Sequence, residues 1–69
     1  MIFDFSKMLG LMKEKGYTQT SMARVLGITP AAFNRKVKCK SYFTQPELKA
    51  LMLTLGITDP NEYLFSLKS

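Results

Sequence analysis

A chain of 69 residues, 46% of them apolar, with ten Lys or Arg, five Asp or Glu and no His, carries a formal charge of +5, and its length predicts one domain, 1–69, around one small core, excluding large two-layer enzymes. One cysteine, Cys39, excludes an intrachain disulfide and a cysteine-built zinc site. The longest nearly apolar stretch, Ala50 to Ile57, is far short of the roughly 18 residues a membrane helix needs, and Asp4 and Lys7 break a signal-peptide pattern, so a soluble cytoplasmic protein with no membrane partner is expected.

Phe5, Met8, Leu9 and Met12 follow i, i+3, i+4, i+7 spacing and predict an amphipathic helix over about residues 4–15, stopped by Gly16. A short segment from about Gln19 to Leu26 ends at Gly27 in the same way. Each of the three prolines then follows a capping residue by one or two places, in Thr29-Pro30, Thr44-Gln45-Pro46-Glu47 and Asp59-Pro60-Asn61-Glu62. A Pro in the first helical turn forfeits no hydrogen bond, because those N–H groups have no partner within the helix. Helices are therefore predicted at about 30–37, 45–55 and 60–66. Thr44/Glu47 and Asp59/Glu62 have the spacing of a capping box, and Ile28 with Phe33 and Phe43 with Leu48 have that of hydrophobic staples. Leu48, Leu51, Met52 and Leu55 repeat the helical period, and Gly56 ends that helix. No alternating strand pattern is left over, so the fold class is all-α with five helices.

The charge is uneven. From Lys15 to Pro46 there are six cations, Lys15, Arg24, Arg35, Lys36, Lys38 and Lys40, and no acid; the remainder holds four cations against five acids. Four of the six cluster between Arg35 and Lys40, with Tyr42 close behind. Such a cluster is either a solvated basic face or a grip for a polyanion such as a nucleic-acid backbone.

The segment Thr18 to Val37 places two short helices around a tight turn, the spacing of a helix-turn-helix. Ala23 is small where the helices must approach, Gly27 permits the sharp turn, and Leu26, Ile28, Phe33 and Val37 are apolar where the helices touch. Phe33, Met22 and Met52 are read as core residues.

With Phe3-Asp4-Phe5-Ser6-Lys7, Thr18-Gln19, Leu26-Gly27-Ile28-Thr29, Asn34-Arg35-Lys36-Val37 and Lys40-Ser41-Tyr42-Phe43-Thr44 in place, the chain resembles, over nearly its whole length, the phage-type Cro and repressor family of helix-turn-helix proteins, the XRE class, and within it a subgroup of very short phage regulators. The resemblance implies a compact lambda-repressor-like five-helix domain whose second motif helix lies in the DNA major groove while the first crosses the backbone. Carried over by position, it implies phosphate contacts from Gln19 and Thr29, a groove-facing set of Pro30, Ala31, Asn34 and Arg35, and backbone contacts from Lys36, Lys38, Lys40 and Ser41. Arg35 is the candidate for a bidentate bond to guanine, and Asn34 for adenine or a phosphate.

Four positions depart from the family pattern. Pro30 and Ala31 stand where polar base readers are common, and neither side chain can hydrogen-bond, although Ala31 can pack on a thymine methyl. Lys36 stands where the family sometimes has an apolar residue, so a buried stem with an outward charge is expected. Cys39 falls where related loops tend to have glycine, so a loop that departs from the usual conformation is expected.

Two functions from different classes follow. One is a Cro-like transcriptional regulator acting on double-stranded operator DNA as a homodimer, in the cytoplasm of a bacterial host and on its nucleoid when bound. The other is an antirepressor that binds a partner phage repressor. Apolar side chains beyond the helical faces, Leu11, Leu53, Tyr63, Leu64, Phe65 and Leu67, with Met1, Ile2 and Phe3 nearby, supply a candidate interface for either. With no His, scattered carboxylates and no Gly-rich phosphate loop, neither an enzyme nor a cofactor or metal site is expected. Most Phe fall at core or staple positions rather than on a stacking platform, which argues against RNA.

Overall fold

A computed structural model describes residues 3–65. Its helices are α1 Ser6–Glu14, α2 Gln19–Leu26, α3 Pro30–Val37, α4 Gln45–Leu55 and α5 Pro60–Tyr63, and among the described residues there is no strand, only an isolated bridge at Phe3. The all-α, five-helix expectation holds. α2, α3 and α4 have the predicted bounds. α1 starts later than predicted because the Asp4 carboxylate accepts the Ser6 N–H at 2.9 Å, a local turn that competes with a further helical residue. α5 is shorter, a single turn closed by the Leu64 N–H on the Pro60 carbonyl at 2.7 Å, beyond which the Leu64 side chain is buried in the core; residue 66 lies outside the described residues.

The helix ends show why the boundaries were legible. Gly16, Gly27 and Gly56 all take positive φ. At the end of α2 the Gly27 N–H donates to the Arg24 carbonyl and the Ile28 N–H to the Ala23 carbonyl, the paired bonds of a Schellman stop. Thr29, Thr44 and Asp59 each accept a backbone N–H of the turn that follows. Thr44 and Glu47 complete a capping box, whereas Asp59 and Glu62 do not: Glu62 reaches instead to the Lys7 ammonium at 3.1 Å.

Phe5, Met8, Met12, Met22, Ala23, Phe33, Leu51, Leu55, Ile57 and Leu64 form the buried core. All five phenylalanines belong to one string of ring contacts: Phe65 to Phe3 at 6.1 Å, Phe3 to Phe5 at 6.2 Å, Phe5 to Phe43 at 5.5 Å and Phe43 to Phe33 at 5.8 Å. Aromatic pairs at these separations add to the burial of each ring. The string ties the N-terminal segment, α3, the loop before α4 and the residues after α5 into one packing unit. Leu11 and Met52 are partly buried against the same core, so Leu11 is core rather than surplus surface.

Candidate nucleic-acid interface

α2 and α3 pack on each other across the turn Gly27-Ile28-Thr29. α2 opens with a capping box built by Thr18 and Ser21, in which the Thr18 hydroxyl accepts the Ser21 N–H at 3.0 Å and the Ser21 hydroxyl accepts the Thr18 N–H at 2.8 Å. Thr29 caps α3 by accepting the Ala32 N–H at 3.1 Å, and Pro30 follows in the first turn. Both helices thus begin with exposed residues, Gln19 and Thr20 on one, Thr29, Pro30 and Ala31 on the other. Helix N-termini carry partial positive charge and outward N–H groups, which suit phosphate oxygens.

The period of α3 sorts its side chains into two faces. Phe33 points into the core, and Lys36 and Val37, three and four residues on, share that side. Ala31, Asn34, Arg35 and Lys38 follow the same spacing on the opposite side; Ala31, Arg35 and Lys38 are exposed and Asn34 is half-buried. The Asn34 amide N–H donates to the Gln19 carbonyl oxygen at 3.4 Å, which links the middle of α3 to the start of α2 and leaves the Gln19 amide N–H groups for another partner. Lys40 is exposed and Ser41 half-buried in the loop beyond.

Lys36 corrects the expectation of an outward charge. Its ammonium meets the Glu47 carboxylate at 2.6 Å, with the two side chains only 13% and 11% exposed, and lies 6.0 Å from the centre of the Phe43 ring. The same Glu47 carboxylate accepts the Thr44 N–H at 2.9 Å. Burial raises the Glu47 carboxyl, but the hydrogen bond and charge of Lys36 and the bonds from Thr44 outweigh it and hold the group below its ordinary 4.5. A carboxyl depressed on folding stabilises the fold fully above its unfolded value and loses that contribution as pH falls through the folded one. Acid unfolding followed by circular dichroism should therefore show a destabilising limb below about pH 4.5 that is reduced in Glu47→Gln.

The loop from α3 to α4 is a built structure. The Cys39 N–H donates to the Lys36 carbonyl at 3.1 Å and the Lys40 N–H to the Arg35 carbonyl at 2.9 Å, the stop also seen after α2, but with Cys39 in the left-handed position at φ 62° where α2 has Gly27. The Cys39 thiol donates to the Phe3 carbonyl at 3.4 Å, so it has a partner. Glycine would relieve roughly 1 kcal/mol of backbone strain while giving up a thiol bond and a small apolar contact of similar size. Cys39→Gly should thus change stability by less than about 1 kcal/mol; a loss of more than about 2 kcal/mol in a urea titration would show that the thiol contact dominates.

The candidate interface residues separate. Leu53 is 74% and Phe65 44% exposed, Tyr63 is half-buried against the core, and Leu64 is 1% exposed. Leu64 is a core residue and is withdrawn from the interface set; Leu67, Met1 and Ile2 lie outside the described residues. Three features escaped the sequence reading. The Thr18 and Ser21 cap was signalled by its i, i+3 spacing; Tyr42, 72% exposed beside Lys40, was seen only as a neighbour of the basic cluster; and the pairing of Lys36 with Glu47 has no local signal at a separation of 11 residues.

Two short capped helices around a glycine turn, with a polar and cationic stripe facing outward from the second, define a helix-turn-helix DNA-binding protein. The profile of the Cro/C1-type HTH DNA-binding domain matches residues 7–64, and the chain belongs to that family, whose members are DNA-binding transcription regulators. No curated protein matches the chain significantly. Among the described residues no helix is long and apolar enough to cross a membrane.

Proposed function

We propose that this protein is a Cro-like phage regulator that binds operator DNA sequence-specifically in the cytoplasm of a bacterial host. The observation that carries this reading is the outward stripe Ala31, Asn34, Arg35 and Lys38 on α3, continued by Lys40 and Ser41. In the groove, Arg35 bonds guanine through its two-pronged guanidinium, Asn34 reads adenine or a phosphate, and Ala31 and Pro30 contribute shape and methyl contact. Gln19 and Thr29 at the two helix starts hold phosphates on either side, and Lys38, Lys40 and Ser41 hold the flanking backbone. The whole chain acts as one domain, paired as a two-fold homodimer through Leu53 and Phe65, which sets two α3 helices about 34 Å apart on one face of the duplex.

Selection from a random duplex pool tests this directly. The expected outcome is enrichment of a two-fold sequence with guanine in each half-site. No enrichment, together with capture of an adjacent phage repressor, would support the second reading, an antirepressor, which the lack of hydrogen-bonding side chains at Pro30 and Ala31 favours. For the dimer, sedimentation should show an association that Phe65→Glu abolishes.

A further inference from the structure

We propose that Glu47 is a positioning residue of the DNA interface: by gripping Lys36 at the end of α3 and the Thr44 N–H at the start of α4, it sets the loop that carries Lys38, Lys40 and Ser41 and removes Lys36 from the cations available to phosphate. This rests on the DNA-binding reading of the preceding section. One carboxylate oxygen receives both the ammonium at 2.6 Å and the backbone N–H at 2.9 Å, and the Glu47 N–H donates in turn to the Thr44 hydroxyl at 3.3 Å. The two ends of the loop are thereby pinned to a single side chain. Within the loop, the Cys39 and Lys40 N–H groups are tied back to α3 and Phe43 is wedged between Phe5 and Phe33, so the exposed ammonium groups of Lys38 and Lys40 leave from a backbone fixed on both sides.

The consequence is a division of labour inside one run of charge. Arg35, Lys38 and Lys40 are exposed, while Lys36, in their midst, is enclosed and neutralised. A cation already paired with a carboxylate brings no new neutralisation to a phosphate, and so releases no counterion when DNA binds.

The test measures binding of a 30-base-pair random duplex at low salt, and of any enriched duplex, to the full chain and to single variants as a function of salt, alongside amide exchange without DNA. Lys38→Met and Lys40→Met should each flatten the slope of log K against log salt by about 0.9 per bound protomer. Lys36→Met should leave the slope unchanged while lowering affinity several-fold at every salt concentration. Flattening by Lys36→Met equal to that of its neighbours would overturn the proposal. In the free protein, Glu47→Ala should speed exchange of the Cys39 and Lys40 amides at least tenfold, with Glu47→Gln, which retains an acceptor for the Thr44 N–H, restoring part of the protection. Unchanged exchange in Glu47→Ala would also overturn it. Equal acceleration at Met12, in the core of α1, would report general unfolding of that variant, and the Lys36→Met slope then decides. If the wild-type chain binds neither duplex, the DNA reading fails, and amide exchange alone decides whether Glu47 positions the loop.

Discussion

Phe33→Ala is expected to leave the chain without a cooperative fold at 25 °C. The ring is fully buried, packs edge-on against Phe43 and joins the helix-turn-helix to the rest of the aromatic string. Truncating a buried Phe costs about 3–5 kcal/mol, and a core in a domain this small rarely supplies more than about 3–5 kcal/mol in all. Thermal melting by circular dichroism should show a broad, sloping trace where the wild type shows a transition, with Phe65→Ala, at a 44% exposed position, melting only a few degrees early. A sharp Phe33→Ala transition within a few degrees of wild type would mean that Met8, Met12 and Met22 refill the space.

The second large effect is on DNA affinity. With Lys36 neutralised by Glu47, two or three exposed cations per protomer among Arg35, Lys38 and Lys40 remain for phosphates, so the proposed homodimer would displace counterions from about 4–6 of them and the slope of log K against log salt should be roughly −4 to −5. Affinity should then fall by about 10²–10³ between 50 and 200 mM salt. Fluorescence anisotropy of a labelled duplex measures this, and a flat dependence would exclude the basic loop as a phosphate grip.

The fold was legible because its signals are local. Helix starts are written in Thr29, Thr44 and Asp59 with the prolines after them, and stops in Gly16, Gly27 and Gly56, each a residue whose own backbone chemistry sets the boundary. The faces of α1 and α4 are written in their apolar period. What was not legible depends on contacts distant in sequence. Leu64 reads as surplus apolar surface until α5 is seen to end at Tyr63 and turn it inward. Lys36 reads as one more cation in a run, although its place three residues after Phe33 puts it on the inner side of α3; only the arrival of Glu47 from α4 shows where its charge goes. Cys39 was expected to take its loop away from the glycine conformation, but its φ of 62° keeps that left-handed conformation, while the thiol's bond to Phe3 spans 36 residues and has no sequence signal. The exposed stripe of the candidate interface follows from helical period alone; which of its members meets a base does not.

That last question is the most direct test of DNA reading by α3. Arg35→Ala and Lys40→Ala are to be compared on the enriched duplex and on random duplex of the same length and salt. Arg35→Ala should lose about 1–3 kcal/mol of discrimination, weakening the enriched duplex far more than the random one, whereas Lys40→Ala should weaken both nearly equally. Equal losses on both duplexes for Arg35→Ala would contradict base reading by this helix and reduce Arg35 to one more phosphate contact.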